Sequence, residues 1–173
     1  MRSFAASILV RTARRGVHNA PTPNITALGC GNLCSQAGLR LYVLHASADR
    51  DLDKAFASLV EQRIRGLVIG PDSFLQSRTE QIVALATEHA IPTVTPYREF
   101  AATGGLASYG GDLAESWRQA GIYTGRVVKG ERPADLPVQQ VKKFELVINM
   151  KTARAFGLTI PETLLAIADE VIQ

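Results

Sequence analysis

Cysteine is nearly absent from this chain of 173 residues, which holds only Cys30 and Cys34. A C-x3-C pair with His18 as its nearest imidazole offers too few ligands for a structural zinc site. The pair reads either as two ordinary thiols or as a loop disulfide. No apolar run approaches the roughly 20 residues that a membrane-spanning helix needs. Acid is missing from everything before Asp49, a stretch that carries Arg2, Arg11, Arg14, Arg15 and Arg40. The formal net charge of +3 therefore belongs to a basic leader, and the rest of the chain is slightly acidic. That distribution excludes a nucleic-acid-binding domain as the reading of the basic balance. Phosphate-loop, dinucleotide, nucleophile-elbow and zinc-protease motifs are all missing, and Gly66-Leu-Val-Ile-Gly70 is a strand between glycines rather than a phosphate cradle. No cofactor and no metal is called for, and a binding function is favoured over catalysis.

The residues that are present, 46% apolar and 20% charged, suit one globular domain. Residues 1–36 stand apart. The apolar run Phe4 to Val10 faintly resembles a signal peptide, but Arg11, Arg14 and Arg15 interrupt it and no small-x-small cleavage site follows. Asn19 to Asn32, with Pro21, Pro23, Gly29 and Gly31, reads as loop. The leader is expected to be poorly ordered or unrelated to the fold.

From Leu39 onward short apolar strands alternate with helices. Leu41–Leu44 is a strand; Leu52, Ala55, Phe56, Leu59 and Val60 form one helical face, with Asp49 as its N-cap. Leu67–Ile69 is a buried strand. Ser77-Arg-Thr-Glu80 is a capping box that opens a helix, and Ile91–Val94 is the next strand. Gly104-Gly105 and Gly110-Gly111 bracket a short strand. The helix from Asp112 to Val128 carries Leu113, Trp117 and Ala120 on one face. Phe144–Ile148 is a strand and Thr152–Phe156 a short helix. A second capping box, Thr159 to Glu162, opens a terminal helix with Leu164, Leu165, Ala168, Val171 and Ile172 inward. The alternation predicts an α/β fold with a parallel sheet.

Open parallel sheets bind ligands beyond the carboxyl ends of their strands. Those ends are His45 to Ser47, Pro71 to Phe74, Pro96 to Glu99 and Ser108 to Gly110. Asp72 would suit an ammonium, Arg98 or backbone N–H groups a carboxylate, and aromatic rings a stacking partner. Each also has a plainer reading. Asp72 and Ser73 could form an Asx turn after Gly-Pro, Arg98-Glu99 a solvated pair, His45 a hydrogen-bonded strand end, Tyr109 a rim residue and Trp117 a packing residue.

Several stretches from Ala37 to Gln173 carry a resemblance: Gly38 to Ser47, Gly66 to Phe74 running into Ser77-Arg78, Tyr97 to Phe100, Gly104 to Gly111, Tyr123 to Pro137 and Phe144 to Leu158. In this order they resemble the C-terminal half of ABC-transporter substrate-binding proteins of the tryptophan/tyrosine type. The resemblance implies a type I periplasmic-binding-protein fold, a Rossmann-like lobe without its N-terminal lobe, and a periplasmic location. It implies an aromatic amino acid or similar ligand and an ABC permease as partner. Carried over by position, Asp72 and Ser73 meet the ligand's polar end, and the backbone of Gly104, Gly105 and Ser108 lines the cleft. Arg98 and Glu99 are polar cleft residues and Tyr109 a further candidate.

The chain departs from the family where residues 1–36 stand in place of an N-terminal lobe. The segment 112–130 would then lack its normal partner, and is expected to repack on the remaining lobe, on the leader, or on a second chain as a dimer. Competing readings are a small single-domain α/β enzyme acting on a small polar substrate through His45, Asp72 or Glu99, and a truncated frame without independent function.

Overall fold

Four strands point their carboxyl ends at one edge of the sheet. They are β2 (Arg40–Ala46), β3 (Leu67–Ile69), β4 (Thr93–Thr95) and β5 (Ala107–Gly111) in a computed structural model that describes residues 6–12, 40–139 and 143–173. β3, β4 and β5 pair in parallel. β1 (Ala6–Thr12) lies antiparallel between β2 and β3. β6 (Phe144–Asn149) runs antiparallel to β5, and β7 (Glu170–Ile172) parallel to β6. The order β2-β1-β3-β4-β5-β6-β7 makes one sheet of seven strands among the described residues. The starts of β6 and β7 therefore lie at the same edge as the ends of β2 to β5.

The helices α1 (Asp49–Glu61), α2 (Ser73–Ser77), α3 (Thr79–Glu88) and α4 (Arg98–Ala102) connect these strands. Leu52, Phe56 and Leu59 of α1, Leu75 of α2, Ile82 of α3 and Phe100 of α4 close on Leu67 and Ile69 as the larger core. The opposite face of the sheet holds a smaller cluster of Ala107, Ile148 and Leu106 with Ala153. Ala153 belongs to α6 (Met150–Ala155), and Leu158, Ile160 and Leu165 of the following segment pack there too. Each large side chain buried in the first core contributes about 1.5–3 kcal/mol.

Several expectations shift. The leader, expected outside the fold, supplies β1: Leu9 stands in register with both Val43 and Val68. The crossover from β2 through α1 to β3 leaves a gap one strand wide, with unpaired N–H and C=O groups on both sides, and the run Ala6–Thr12 satisfies them. The readings of His18, Cys30 and Cys34 fall outside the described residues.

The cap of α1 is Ala48, while Asp51 Oδ2 accepts from the Ser47 and Ala48 N–H groups at 3.1 and 3.0 Å. Val60, assigned inward, is exposed. The proposed box at Ser77 does not cap, since its hydroxyl donates to the Phe74 carbonyl at 2.7 Å. α3 starts instead from Arg78 without a side-chain cap, and Asp72 caps the separate short helix α2, its Oδ1 accepting from the Leu75 N–H at 3.0 Å. The terminal helix is short, α7 (Glu162–Ala166), and its expected last turn is instead β7, where Val171 pairs with Ile148. The sheet is mixed rather than wholly parallel, because β1, β6 and β7 run against the other four.

Helix α5 (Leu113–Val128) forms as read, with Asp112 as its N-cap. It does not repack on the described lobe: none of its residues is buried and Trp117 is 73% exposed.

Candidate functional site at the carboxyl edge of the sheet

Gly110 fixes how closely β5 approaches β4 at this edge. A Cβ there would lie 2.0 Å from the Pro96 carbonyl oxygen, so no other residue leaves the two backbones where they are. Gly104, at φ +114°, makes the turn that returns α4 to β5, and Gly105 is packed against the Phe100 ring, 2.0 Å from where a Cβ would stand. Thr152 Oγ1 donates to the Gly104 carbonyl at 2.8 Å, which ties this turn to α6. The two glycines thus deliver β5 to the edge and line none of the cavities described below.

The turn before α4 is organised by Thr95, whose hydroxyl accepts from the Tyr97 N–H at 3.2 Å. Tyr97 stands beside Asp72. Burial, reinforced by the Asp72 carboxylate, raises the Tyr97 hydroxyl above its ordinary value, so it stays protonated and able to donate. Asp72 is committed to its cap, and Ser73 is exposed at the first position of α2.

A cavity of about 150 Å³ opens where the start of α4, the end of β5 and the start of α5 meet. Arg98, Glu99 and Ser108 line it together with Asp112 and Glu145. Arg98 is ion-paired with Glu170 and stands 4.0 Å from Glu145, so it bridges α4 to the starts of β6 and β7. Lys143 reaches Glu145 at 2.7 Å, and that carboxylate raises the lysine's affinity for its proton. A larger cavity of about 470 Å³ shares Glu99 with it and is lined further by Thr103 and by Gln76 to Gln81.

Of the sequence candidates, Arg98, Glu99 and Ser108 converge, and Asp72 joins Tyr97 next door. Tyr109 faces away: one residue on from Ser108 it projects from the other side of the sheet, 58% exposed and stacked on Phe144 at 5.7 Å. His45 lines a separate shallow cavity with Asp51 and Lys54. His45 lines a different cavity from Glu99, and Asp72 lines neither of the two. Asp112, Glu145 and Glu170 were missed. Asp112 could have been found from its N-cap position after the glycine pair; the two glutamates reach Arg98 only through sheet register.

Known proteins resemble the chain in sequence and fold. The family model for ABC transporter substrate binding protein matches residues 30–172. The chain belongs to that family. Within it, the Tyrosine-binding protein of Clostridioides difficile is 27% identical over 112 residues, which are 65% of this chain and 32% of the relative. The crystal structure of a conserved domain protein from Vibrio cholerae is 26% identical with a TM-score of 0.74, covering 85% of this chain and 50% of that one. A Streptococcus pneumoniae ABC domain solved in complex with L-Trp is 33% identical with a TM-score of 0.54, covering 58% and 35% respectively. A ligand-free, open substrate-binding protein with adhesive properties from Clostridium difficile shares the fold at 19% identity and a TM-score of 0.58, covering 88% and 52%. The chain thus spans about half the length or less of these solved relatives, and about a third of the tyrosine-binding one.

Proposed function

We propose that this member of the substrate-binding family supplies one wall of a cleft for an aromatic amino acid or a similar small solute, which an ABC permease imports. The observation that carries this reading is the convergence of Arg98, Glu99 and Ser108 in one cavity at the carboxyl edge of the sheet. One relative named for tyrosine binding and another solved with L-Trp support the ligand class. Asp72, held by its cap near the Tyr97 hydroxyl, and Ser73 extend the polar rim of the cleft beside that cavity. Gly104 and Gly105 act indirectly by setting the path of β5, and Tyr109 stands outside the cleft. The protein works on the outer side of the cytoplasmic membrane.

The second wall packs on α5. Leu113, Trp117, Ile122 and Val128 are all exposed there, and covering each large side chain is worth about 1.5–3 kcal/mol. With one wall the ligand stays half solvated, so the chain alone binds weakly. Isothermal titration with L-tryptophan and L-tyrosine is expected to give millimolar dissociation constants. Micromolar binding by this chain would overturn the half-cleft reading. No turnover is expected; turnover that Asp72→Ala abolishes without unfolding the chain would establish the enzyme reading instead.

A further inference from the structure

We infer that the 150 Å³ cavity receives the ammonium group of the ligand, and that the ligand's carboxylate is met outside this wall. The inference rests on the amino-acid reading and deepens it. The charge inventory comes first. Among the described residues Arg98 is the one cation that lines the cavity, against Glu99, Asp112 and Glu145. Arg98 is already engaged by Glu170 and by Glu145, and so has little attraction left for an incoming carboxylate. Lys143 sits at the rim and neutralises part of Glu145, which leaves the lining acidic. The amino end of α5 opens here and would by itself favour an anion. Asp112 answers it, since its Oδ1 accepts from the Glu115 N–H at 3.1 Å and sets a negative charge against the helix dipole.

An independent observation is Ser108, which is 2% exposed and yet lines the cavity. Its hydroxyl enters no hydrogen bond among the described residues. Among those residues no side-chain nitrogen or oxygen sealed from solvent lacks a partner, so Ser108 Oγ opens into the cavity. A hydroxyl with free lone pairs accepts from an ammonium N–H, and Glu99 and Glu145 supply the opposing charge. Size agrees: about 150 Å³ is below the roughly 300 Å³ at which pockets enclose a whole drug-sized molecule, so a head group fits and an aromatic amino acid does not.

Three indole probes separate the possibilities when titrated into the full chain with backbone amide shifts as the readout. Tryptamine keeps the amine alone, indole-3-propionate the carboxylate alone, and L-tryptophan both. Tryptamine at millimolar concentration is expected to move the amides of Ser108, Gly110 and Gly111, and indole-3-propionate to leave them unmoved. Glu145→Gln and Ser108→Ala are each expected to weaken tryptamine about tenfold with circular dichroism unchanged. Glu99→Gln is the replacement test if either variant unfolds. Indole-3-propionate moving these amides as strongly as tryptamine, or both variants binding tryptamine as the parent does, overturns the ammonium assignment and leaves the amino-acid reading standing. Tryptamine binding without L-tryptophan binding anywhere on the edge overturns the amino-acid reading instead. Silence from all three probes overturns both.

Discussion

Asn149 Nδ2 donates to the Ala101 carbonyl oxygen at 3.0 Å, and both residues are buried. The other end of the same amide, Oδ1, accepts from the Thr152 N–H at 3.1 Å and caps α6. One side chain therefore fixes α4, which presents Arg98 and Glu99, to the strand that presents Glu145. Asn149→Ala leaves the Ala101 carbonyl with only the Gly104 N–H, at 3.2 Å, as its donor, a loss of about 0.5–1.5 kcal/mol, and removes a cap worth about 1 kcal/mol. Asn149→Asp keeps the cap acceptor and loses the donor, so it is expected to fall between the parent and the alanine variant. Urea denaturation of the three proteins checks the order.

Glycine substitutions should separate sharply by position. Gly110→Ala drives a Cβ to within 2.0 Å of the Pro96 carbonyl, a backbone atom that cannot rotate away. It is expected to lower stability by about 1–3 kcal/mol and to disturb the cavity that Gly110 lines. Gly125→Ala in α5 meets nothing within 4 Å and is expected to raise stability by about 0.5–1 kcal/mol. Thermal melts of the two variants should move in opposite directions.

Glu115 contributes to the pH dependence of α5. Hydrogen bonds from Arg118, then Gln119, lower its carboxyl from 4.5 to about 2. Because the folded value is the depressed one, the stabilisation is fully present above pH 4.5 and is lost as pH falls through about 2. A carbon-13 titration of the Glu115 carboxyl should show its midpoint near 2, and Arg118→Ala should return it toward 4.5.

Strand β1 tests how the sheet is completed. Leu9 is in register with Val43 on one side and Val68 on the other. Leu9→Pro deletes a backbone donor in an inner strand, and is expected to cost at least about 1 kcal/mol and to accelerate amide exchange in β2 and β3. Unchanged exchange in both strands would contradict the pairing.

What the sequence made legible were elements with a single strong period. Leu52, Phe56 and Leu59 place α1, Leu67 to Ile69 place β3, and Asp112 with the following turn places α5. Elements whose pattern suits two structures were not legible. Val171 and Ile172 continue a helical spacing that runs through Leu164, Leu165 and Ala168, and the open edge of β6 draws them into a strand instead. Ser77 to Glu80 satisfies a capping box, but the Ser77 hydroxyl turns back to the Phe74 carbonyl of α2, and α3 starts from Arg78 with no side-chain cap. In the site, Arg98, Glu99 and Ser108 could be placed because they lie within or just after strands whose order is local. Glu145 and Glu170 could not, since only the register of β6 and β7 brings them to Arg98.

Amide shift mapping of the full chain during titration with L-tryptophan tests the central claim most directly. The account expects saturable shifts, at millimolar ligand, that cluster at Asp72, Tyr97 to Glu99 and Ser108 to Gly111. Shifts that cluster elsewhere, around His45 or along α3 for example, with none at that edge, would contradict it.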